Sequence, residues 1–374
     1  MKNIRTLFII LFFLCIFLRQ VSAEETLTWG DCLAEAKKNH PDLISAVEGI
    51  NEQKASKSIT ASGLYPQIGA DIDASTAKKS TTSASTSTSD SYSYGLSGTQ
   101  LVFDGFKTIN DINAASENIK SAQQNYRFTS SEVRLNLRSA FINLLKAQEL
   151  IQVAEDIVKI RRDNLILITL RYESGLEHKG ALLTAEANLD EANFELSQAK
   201  RDVEFARRQL TKEMGRREFR PMHVKGDFAV RDPAKEKPNF EDIVKTNPSV
   251  LQAVAKKNSA AFSVRSAYGN FAPELSGTAG ANKSSSHWPP DNDQWNLGLS
   301  VNMPIFEGGL KFAQVSQAKA IYNQAEANER SARDAAIVDL EQTWVALQDA
   351  METVGVQRKS REASDERSKI AEAQ

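Results

Sequence analysis

The fold of this chain is decided by residues 131–210, which read SEVRLNLRSAFINLLKAQELIQVAEDIVKIRRDNLILITLRYESGLEHKGALLTAEANLDEANFELSQAKRDVEFARRQL. Apolar residues recur on both sides of Tyr172-Glu173-Ser174-Gly175 at steps that alternate between four and three, which is the heptad repeat of packed helices. The pattern predicts two long helices that fold back on each other at this segment. The first seam comprises Val133, Leu137, Ala140, Leu144, Ala147, Ile151, Ala154 and Val158, and the second comprises Ala185, Leu189, Ala192, Leu196, Ala199, Val203, Ala206 and Leu210.

The predicted helical hairpin spans residues 106–215. Its first arm contains no proline from Phe106 to Arg171. At about 1.5 Å per residue, that arm can reach roughly 100 Å. No compact enzyme core requires a rod of that length.

The chain contains two copies of one plan, in which a helix is followed by a β-hairpin and a long helical hairpin. Pro273 corresponds to Pro66, and Phe306-Glu307-Gly308 corresponds to Phe103-Asp104-Gly105. Such a duplication is a strong indication of repeat architecture. We predict a first repeat over residues 24–215, a linker over 216–238 and a second repeat over 239–374, with a long helix over 308–374. Because Gln374 aligns with Arg171, the returning helix of the second copy is missing, and we expect a C-terminally truncated fragment of a longer protein.

The two predicted β-hairpins, residues 66–105 and 273–306, alternate apolar with small or polar residues. Segments of about ten residues with this alternation are typical of transmembrane barrel strands, although the pattern alone also fits a soluble sandwich. Exposed loops are predicted at Ser80–Ser91 and Lys283–Asp293. Asp71 and Asp73 fall on the polar side, where they either line a lumen and favour cations or simply increase solubility. Tyr92, Tyr94 and Trp295 lie next to the loops, where an aromatic girdle is expected.

Four strands are too few for a hollow barrel, since even barrels filled by side chains need about eight. An open sheet edge in lipid would leave backbone groups without hydrogen-bond partners. The pattern therefore predicts that the chain oligomerises, and three copies would supply twelve strands.

The N-terminus has the features of a signal peptide over residues 1–23. Lys2 and Arg5 are basic, Leu7–Leu18 is apolar, and Val21-Ser22-Ala23 supplies small residues at the expected cleavage point. An uncleaved membrane anchor is the alternative interpretation. The signal peptide predicts an exported protein, and no later stretch approaches the run of about 20 apolar residues that a transmembrane helix needs. Two possibilities follow, a soluble periplasmic or secreted protein and one that crosses a membrane by β-strands.

Composition and motifs argue against several functional classes. The 46 Lys plus Arg residues are balanced by 48 Asp plus Glu, without the basic excess that indicates a nucleic-acid partner. The four histidines are not paired at metal-ligand spacing, and no GxSxG, HExxH or phosphate-loop motif occurs. The sequence predicts no catalytic residue, no cofactor and no metal site, and therefore no enzyme.

Several short motifs occur in a characteristic order: Leu27-Thr28 before Asn39-His40-Pro41, Leu101-Val102-Phe103-Asp104-Gly105, and Arg171-Tyr172-Glu173-Ser174-Gly175. With their echoes in the second copy, they make the sequence from Leu27 to Gln374 resemble the TolC-like family of outer-membrane efflux proteins. The resemblance implies a mainly α fold with a small β part. Long antiparallel coiled-coil helices and four amphipathic transmembrane strands per chain would contribute to a trimeric twelve-stranded barrel and an α-helical tunnel.

The resemblance also implies a function and partners. The homotrimer would lie in outer-membrane lipid with its helices in the periplasm, and would dock with a periplasmic adaptor protein and an inner-membrane pump of the RND or ABC type. It would act as a passive conduit for efflux or type I secretion. The residues that the resemblance places at the periplasmic tip, as part of a gate, are Tyr172, Glu173, Ser174, Gly175, Leu176 and Glu177.

Two other classes contain long helices. A periplasmic adaptor would place one helical hairpin between the halves of a lipoyl-like β domain. A secreted coiled-coil structural protein would show one continuous rod without duplicated strands. Neither arrangement matches the duplicated plan of this sequence.

Overall fold

The computed structural model describes residues 25–80, 86–226 and 236–373, so the predicted signal peptide lies outside the described residues. The described chain is mainly helical with a small sheet part, which confirms the predicted fold class. Among these residues, no helix combines the length and the apolar character needed to cross a membrane. The elements are β1 (Glu25–Leu27), α1 (Trp29–Asn39), α2 (Pro41–Ser62), β2 (Gln67–Ser80), β3 (Thr86–Phe103), α3 (Lys107–Glu173), α4 (Lys179–Glu213), β4 (Met222–Val224), α5 (Phe240–Val244), α6 (Pro248–Gly269), β5 (Glu274–Ser285), β6 (Asn292–Asn302) and α7 (Leu310–Ala373).

The chain divides into two compact units that do not follow the predicted repeats. The first unit comprises Met1–Ser45 with Thr129–Asp232, and the second comprises Ala46–Phe128 with Pro233–Gln374. The division cuts helices α2 and α3, because a long helix can contribute residues to more than one core. The repeat boundaries remain a prediction about duplication in the sequence.

The first unit is organised by α4 and the C-terminal part of α3. Every residue of the two predicted seams is buried or half-buried, which confirms the heptad prediction. Leu137, Leu144 and Leu210 have no exposed surface. Helix α1 adds Cys32 to the same core. Its N-terminus is fixed by a capping box, in which the Thr28 hydroxyl accepts a hydrogen bond from the Asp31 N–H.

The predicted linker over residues 216–238 is only partly a linker. Its residues Met222–Val224 form β4, which pairs in parallel with β1. Met222 and Val224 are buried in the first unit's core. The side-chain amide of Gln148 donates to the Val224 carbonyl and accepts from its N–H, both at 3.0 Å, so it takes the place of a neighbouring strand. The sequence analysis did not predict this short strand, because two apolar residues were too few to stand out among Pro and Gly.

Arg216 joins strand β1 and helix α1 to the end of α4. Its Nε donates to Glu35 at 2.6 Å and its Nη1 to Glu25 at 2.9 Å. These charge-assisted bonds, above all the one to Glu35, raise the pKa of the guanidinium. The preceding Gly215 has a φ of +73°, which allows the close approach of Asn39.

The second unit contains a four-stranded antiparallel sheet in the order β2-β3-β5-β6. The predicted hairpins are present, but their strands are longer than predicted. Thr86–Ser91 was expected in a loop, yet the pairing of β2 with β3 continues to Ser80 opposite Thr86. In the second hairpin, β5 continues to Ser285 and β6 begins at Asn292. Antiparallel pairing is made by the backbone, so Ser- and Thr-rich segments can extend a ladder without apolar side chains.

The turns that lead from strand to helix support the duplication. Gly105 and Phe106 both have positive φ, at +69° and +62°. The corresponding Gly308 and Gly309 have φ of +60° and +87°. Phe106 therefore has a left-handed backbone conformation, whereas the corresponding residue of the second copy is a glycine, Gly309. Such a conformation is uncommon for a bulky residue.

Helices α5 and α6 pack on α7 in the second unit. Val244, Val250 and Ala336 form a small buried cluster, with Ile337 and Leu340 packed against it. Further along α7, Leu347 and Val354 are exposed.

Candidate functional site

The sheet of the second unit has one continuous apolar face. In register, Ala70 pairs with Leu96, Leu96 with Ala281, and Ala281 with Trp295. The next row joins Ile68, Gly98, Ala279 and Leu297 in the same way. These side chains are solvent-exposed in the isolated chain: Ile68 is 79%, Trp295 80% and Leu297 80% exposed. The apolar face comprises Ile68, Ala70, Ile72, Leu96, Ala279, Ala281, Trp295, Leu297 and Leu299.

Exposed apolar patches of this kind indicate a protein or membrane interaction surface. Strands β5 and β6 contain 12 and 11 residues, and the β2 and β3 strands are longer. A strand that crosses the hydrocarbon core needs about 9–11 residues. The apolar face therefore has the length and character of a lipid-facing barrel wall.

The opposite face of the sheet is polar and carries both predicted lumen residues. Asp71 pairs with Gly95, whose other neighbour is Asn282, and Asp73 pairs with Ser93. Gly95 has no room for a side chain, since a Cβ there would lie 2.7 Å from the Asn282 Cβ. The structure places Asp71 and Asp73 on one face, opposite the apolar one.

Of the three residues predicted to form an aromatic girdle, two contact the same tryptophan ring and the third lies in another row of the sheet. Tyr92 and Tyr94 each meet the ring of Trp288 edge-on, with centroids 6.3 Å apart. Trp295 lies on the same face but one row nearer the strand centre. The sequence patterns did not single out Trp288, because it lies in a polar loop before Pro289-Pro290. Its aromatic side chain was the one feature of the sequence that could have indicated its role. A second missed feature is the ion pair of Lys283 Nζ with Asp293 Oδ1, at 3.0 Å, in the row that contains Tyr94.

The predicted tip residues form the turn between α3 and α4 in the first unit. The Leu176 N–H donates to the Arg171 carbonyl at 2.8 Å and the Gly175 N–H donates to Tyr172 at 2.9 Å. Gly175 has a φ of +73°, and this combination is the usual glycine-dependent end of a helix. The turn is thus the predicted one, and the side chains of Tyr172 and Leu176 are exposed.

His178 caps the returning helix at this turn. Its Nδ1 accepts a hydrogen bond from the Ala181 N–H at 3.0 Å, so the imidazole is held as the tautomer with an unprotonated Nδ1. Gly180 leaves space for the ring, because a Cβ there would lie 3.1 Å from that nitrogen. Glu177 lies 3.9 Å from both Arg171 Nε and His178 Nε2. Cap and charges together order a turn that is otherwise exposed.

Neither a metal-holding cluster nor an accessible cysteine thiol occurs among the described residues. Among residues 25–80, 86–226 and 236–373, no group of three or more His, Cys, Asp and Glu side chains is placed to hold a metal ion. Cys32 is fully buried, and burial raises the pKa of its thiol to about 12. A thiol in that state is a poor nucleophile.

The chain is similar to known outer-membrane proteins. The model of the outer membrane efflux protein family matches residues 32–216 and 240–374. The outer membrane efflux protein BepC of Brucella suis is 24% identical over 343 residues, which cover 91% of this chain and 73% of BepC. A crystal structure of CusC superimposes with a TM-score of 0.77 at 19% identity, covering 88% of this chain and 77% of CusC. The CmeC outer membrane channel of Campylobacter jejuni gives a TM-score of 0.73 at 19% identity, covering 85% of this chain and 71% of CmeC.

The exposed apolar sheet face and the long helical hairpin define an outer-membrane channel protein of the efflux class. The chain belongs to the outer membrane efflux protein family. The predicted family, the main function and the outer-membrane localisation are thereby confirmed. The matched family consists of channels, not enzymes.

Proposed function

We propose that three copies of this chain form one conduit, which carries substrates from a periplasmic adaptor and an inner-membrane pump to the outside of the cell. The observation that carries the proposal is the continuous apolar face across all four strands. An efflux component with such a face is expected to cross the outer membrane as part of a barrel, and not to remain on its surface.

The order of the sheet supports oligomerisation. Strands β2 and β6 are its edges, and each has one ladder partner among the described residues. An unpaired edge in lipid would cost several kcal/mol for each unsatisfied group. Pairing of β2 with β6 of a second copy removes both edges, and three copies close twelve strands around a water-filled lumen.

Helix α4 carries a second set of exposed apolar residues, which also indicates contact with neighbouring helices. Leu183, Phe194 and Phe205 follow one another on α4 at intervals of eleven residues, which is close to three full turns. All three are exposed, whereas Ala185, Ala192 and Val203 on the opposite side are buried. A helix with two apolar sides fits a wall of helices, in which each helix has a neighbour on both sides.

The polar features receive roles within this conduit. Asp71 and Asp73 would line the lumen of the barrel, and Tyr92, Tyr94 and Trp295 would lie at the lipid–water boundary. The turn Tyr172–Glu177 would be one leaf of the periplasmic gate. The pump, of RND or ABC type, would supply the energy, so the conduit itself needs no cofactor, and no nucleic acid takes part.

Deletion of the gene in its own host, with complementation from a plasmid, tests this function. We expect the deletion strain to accumulate a fluorescent efflux substrate, and the restored protein to migrate as a trimer after extraction from purified outer membranes. Chemical cross-linking in intact cells is expected to join it to an adaptor. Recovery of the protein in the soluble periplasm would contradict the proposal and favour a periplasmic coiled-coil adaptor or structural protein.

A further inference from the structure

The turn between helices α3 and α4 is held by different kinds of bond on its two sides. On the α3 side, the Leu176 N–H donates to the Arg171 carbonyl at 2.8 Å. The Gly175 N–H donates to the Tyr172 carbonyl at 2.9 Å. Both bonds join backbone amide groups, which neither gain nor lose a proton. The bonds that close the end of α3 are therefore the same in acid and in neutral solution.

On the α4 side, the bond is made by a side chain that can take up a proton. The Ala181 N–H lies 3.0 Å from the Nδ1 atom of His178 and also 3.0 Å from the His178 carbonyl oxygen. A ring nitrogen accepts a hydrogen bond only while it carries no proton itself. The ring fits here because residue 180 is a glycine, whose added Cβ would lie 3.1 Å from Nδ1. The side-chain cap of α4 therefore requires the neutral imidazole.

The charged groups around this ring decide what a second proton would do. Glu177 lies 3.9 Å from His178 Nε2 and would attract an imidazolium, but it lies equally close to Arg171 Nε. The other charged residues at these two helix ends are Glu173 and Lys179. The His178 side chain is 78% exposed, and an ion pair in water contributes little to stability. A proton on Nδ1 removes the acceptor altogether, and the positive end of the α4 dipole disfavours the added charge. Protonation is therefore expected to uncap α4.

The imidazole is also the kind of group at this turn that responds to mild acid. Carboxyl groups ordinarily stay negative, and guanidinium and ammonium groups positive, at both pH 7.5 and pH 5.5. An imidazole ordinarily changes its charge within the range from pH 5 to pH 8. The cap is made by the neutral ring, so its contribution is present at the upper end of this range and is lost as the pH falls.

We propose that His178 is a pH-dependent cap, which loosens the tip of the helical hairpin in acid. Proton uptake at Nδ1 releases the Ala181 N–H from the ring. The first turn of α4 then opens more readily, while the end of α3 keeps its backbone bonds. The consequence for transport rests on the proposed function: if this turn is one leaf of the periplasmic gate, the conduit opens more often at pH 5.5 than at pH 7.5.

Hydrogen–deuterium exchange of the full-length protein in detergent tests the cap. Exchange is measured by mass spectrometry at pH 5.5 and 7.5 and is corrected for the intrinsic effect of pH on amide exchange. We expect residues 177–184 of the wild type to exchange severalfold faster at pH 5.5. In His178→Asn the side-chain oxygen accepts a hydrogen bond at both pH values, so exchange should be slow at both. In His178→Ala it should be fast at both.

Recordings of single channels in a planar bilayer test the consequence for the gate. Wild-type channels should open severalfold more often at pH 5.5 than at pH 7.5, and His178→Asn should remove this difference. His287→Asn is the matched control, because His287 is also an exposed histidine but lies between strands β5 and β6. The control should keep the wild-type response to pH in both measurements.

Two results would overturn the proposal: an undiminished response to pH in His178→Asn, or equal opening of wild-type channels at the two pH values. The same variants are also tested for efflux in the deletion strain. A pH-dependent cap in a protein that restores no efflux would refute the proposed function and leave the cap standing. Full efflux by a wild-type protein whose exchange at residues 177–184 does not depend on pH would refute the cap alone.

Discussion

At the scale of one residue, the reactivity of the Cys32 thiol measures how closely the core of the first unit is packed. Its side chain has no exposed surface, and burial raises the pKa of the thiol to about 12. Because the thiolate is the reactive form, we expect alkylation by iodoacetamide at pH 8 to be at least roughly 100-fold slower in the folded protein than in the denatured protein. A time course read by mass spectrometry gives both rates, and comparable rates would contradict the buried position.

The same residue predicts a pH dependence of stability. The thiol is expected to ionise near its ordinary value of 9.0 when the chain is unfolded and near 12 when folded. Its contribution to stability is therefore fully present below pH 9 and declines as the pH rises toward 12, by about 1.4 kcal/mol per pH unit. Denaturation of the wild type and Cys32→Ala at pH 8, 9, 10 and 11 measures the difference. Parallel pH profiles for the two proteins would disprove it.

Two glycines with the same backbone angle should respond differently to alanine. Gly175 and Gly215 both have a φ of +73°. A Cβ at Gly175 would have nothing within 4 Å, whereas one at Gly215 would lie 2.5 Å from the Asn39 carbonyl oxygen. We expect Gly175→Ala to cost about 1 kcal/mol from the backbone alone. Gly215→Ala should cost at least twice as much, because backbone must move.

Thermal unfolding followed by circular dichroism compares these two variants. The larger decrease in melting temperature is expected for Gly215→Ala, in the same detergent and at the same protein concentration. Equal decreases would mean that the packing of Gly215 on Asn39 contributes nothing beyond the strained backbone.

At the scale of an element, substitutions at two adjacent residues of strand β6 test its two faces independently. Leu297 lies on the apolar face and Asn296 on the polar face. Lysine on the lipid side of a barrel costs about 2–4 kcal/mol near the middle of the bilayer and little on the lumen side. We expect Leu297→Lys to reduce the amount of folded protein in outer membranes severalfold and Asn296→Lys to leave it nearly unchanged. Equal effects would mean that the two faces are not lipid-facing and lumen-facing.

Helices and strands whose apolar residues recur at a regular interval could be predicted from the sequence. The spacing of Val133, Leu137 and Ala140 identified the buried side of α3, and the alternation of Leu297 and Leu299 identified the apolar face of β6. A period of seven or two places many residues on one side, so that single exceptions do not obscure the signal.

Elements without a period were missed. Strand β4 has three residues, and its pairing with β1 joins segments about 200 positions apart in the sequence. The extension of β3 through Ser87 and Ser89 depends on backbone pairing, which leaves no apolar pattern. The contacts of Trp288 and the cap by His178 depend on the path of a turn, and a turn's residue types restrict that path without determining it.

At the scale of the whole molecule, both the sheet and the helices expose surfaces that need a partner. The edges of β2 and β6 need strand partners, and the exposed residues Leu183, Phe194 and Phe205 need helix partners. The proposed symmetric trimer would meet both needs, because every copy would offer what its neighbour lacks. The polar faces of three sheets would then enclose one lumen, and each copy would bring Asp71 and Asp73 to it.

This arrangement predicts a cation preference that depends on those two residues. Rings of carboxylates raise the local concentration of cations in a pore. We expect Asp71→Asn with Asp73→Asn to decrease the cation preference of single channels in a planar bilayer, measured as a reversal potential under a salt gradient. Asp90→Asn, which removes one carboxylate where the double variant removes two, is the control, because Asp90 accepts a hydrogen bond from Thr76 at 2.8 Å on the opposite face of the sheet. An equal shift in the control, or none in the double variant, would show that Asp71 and Asp73 do not set the potential of the lumen.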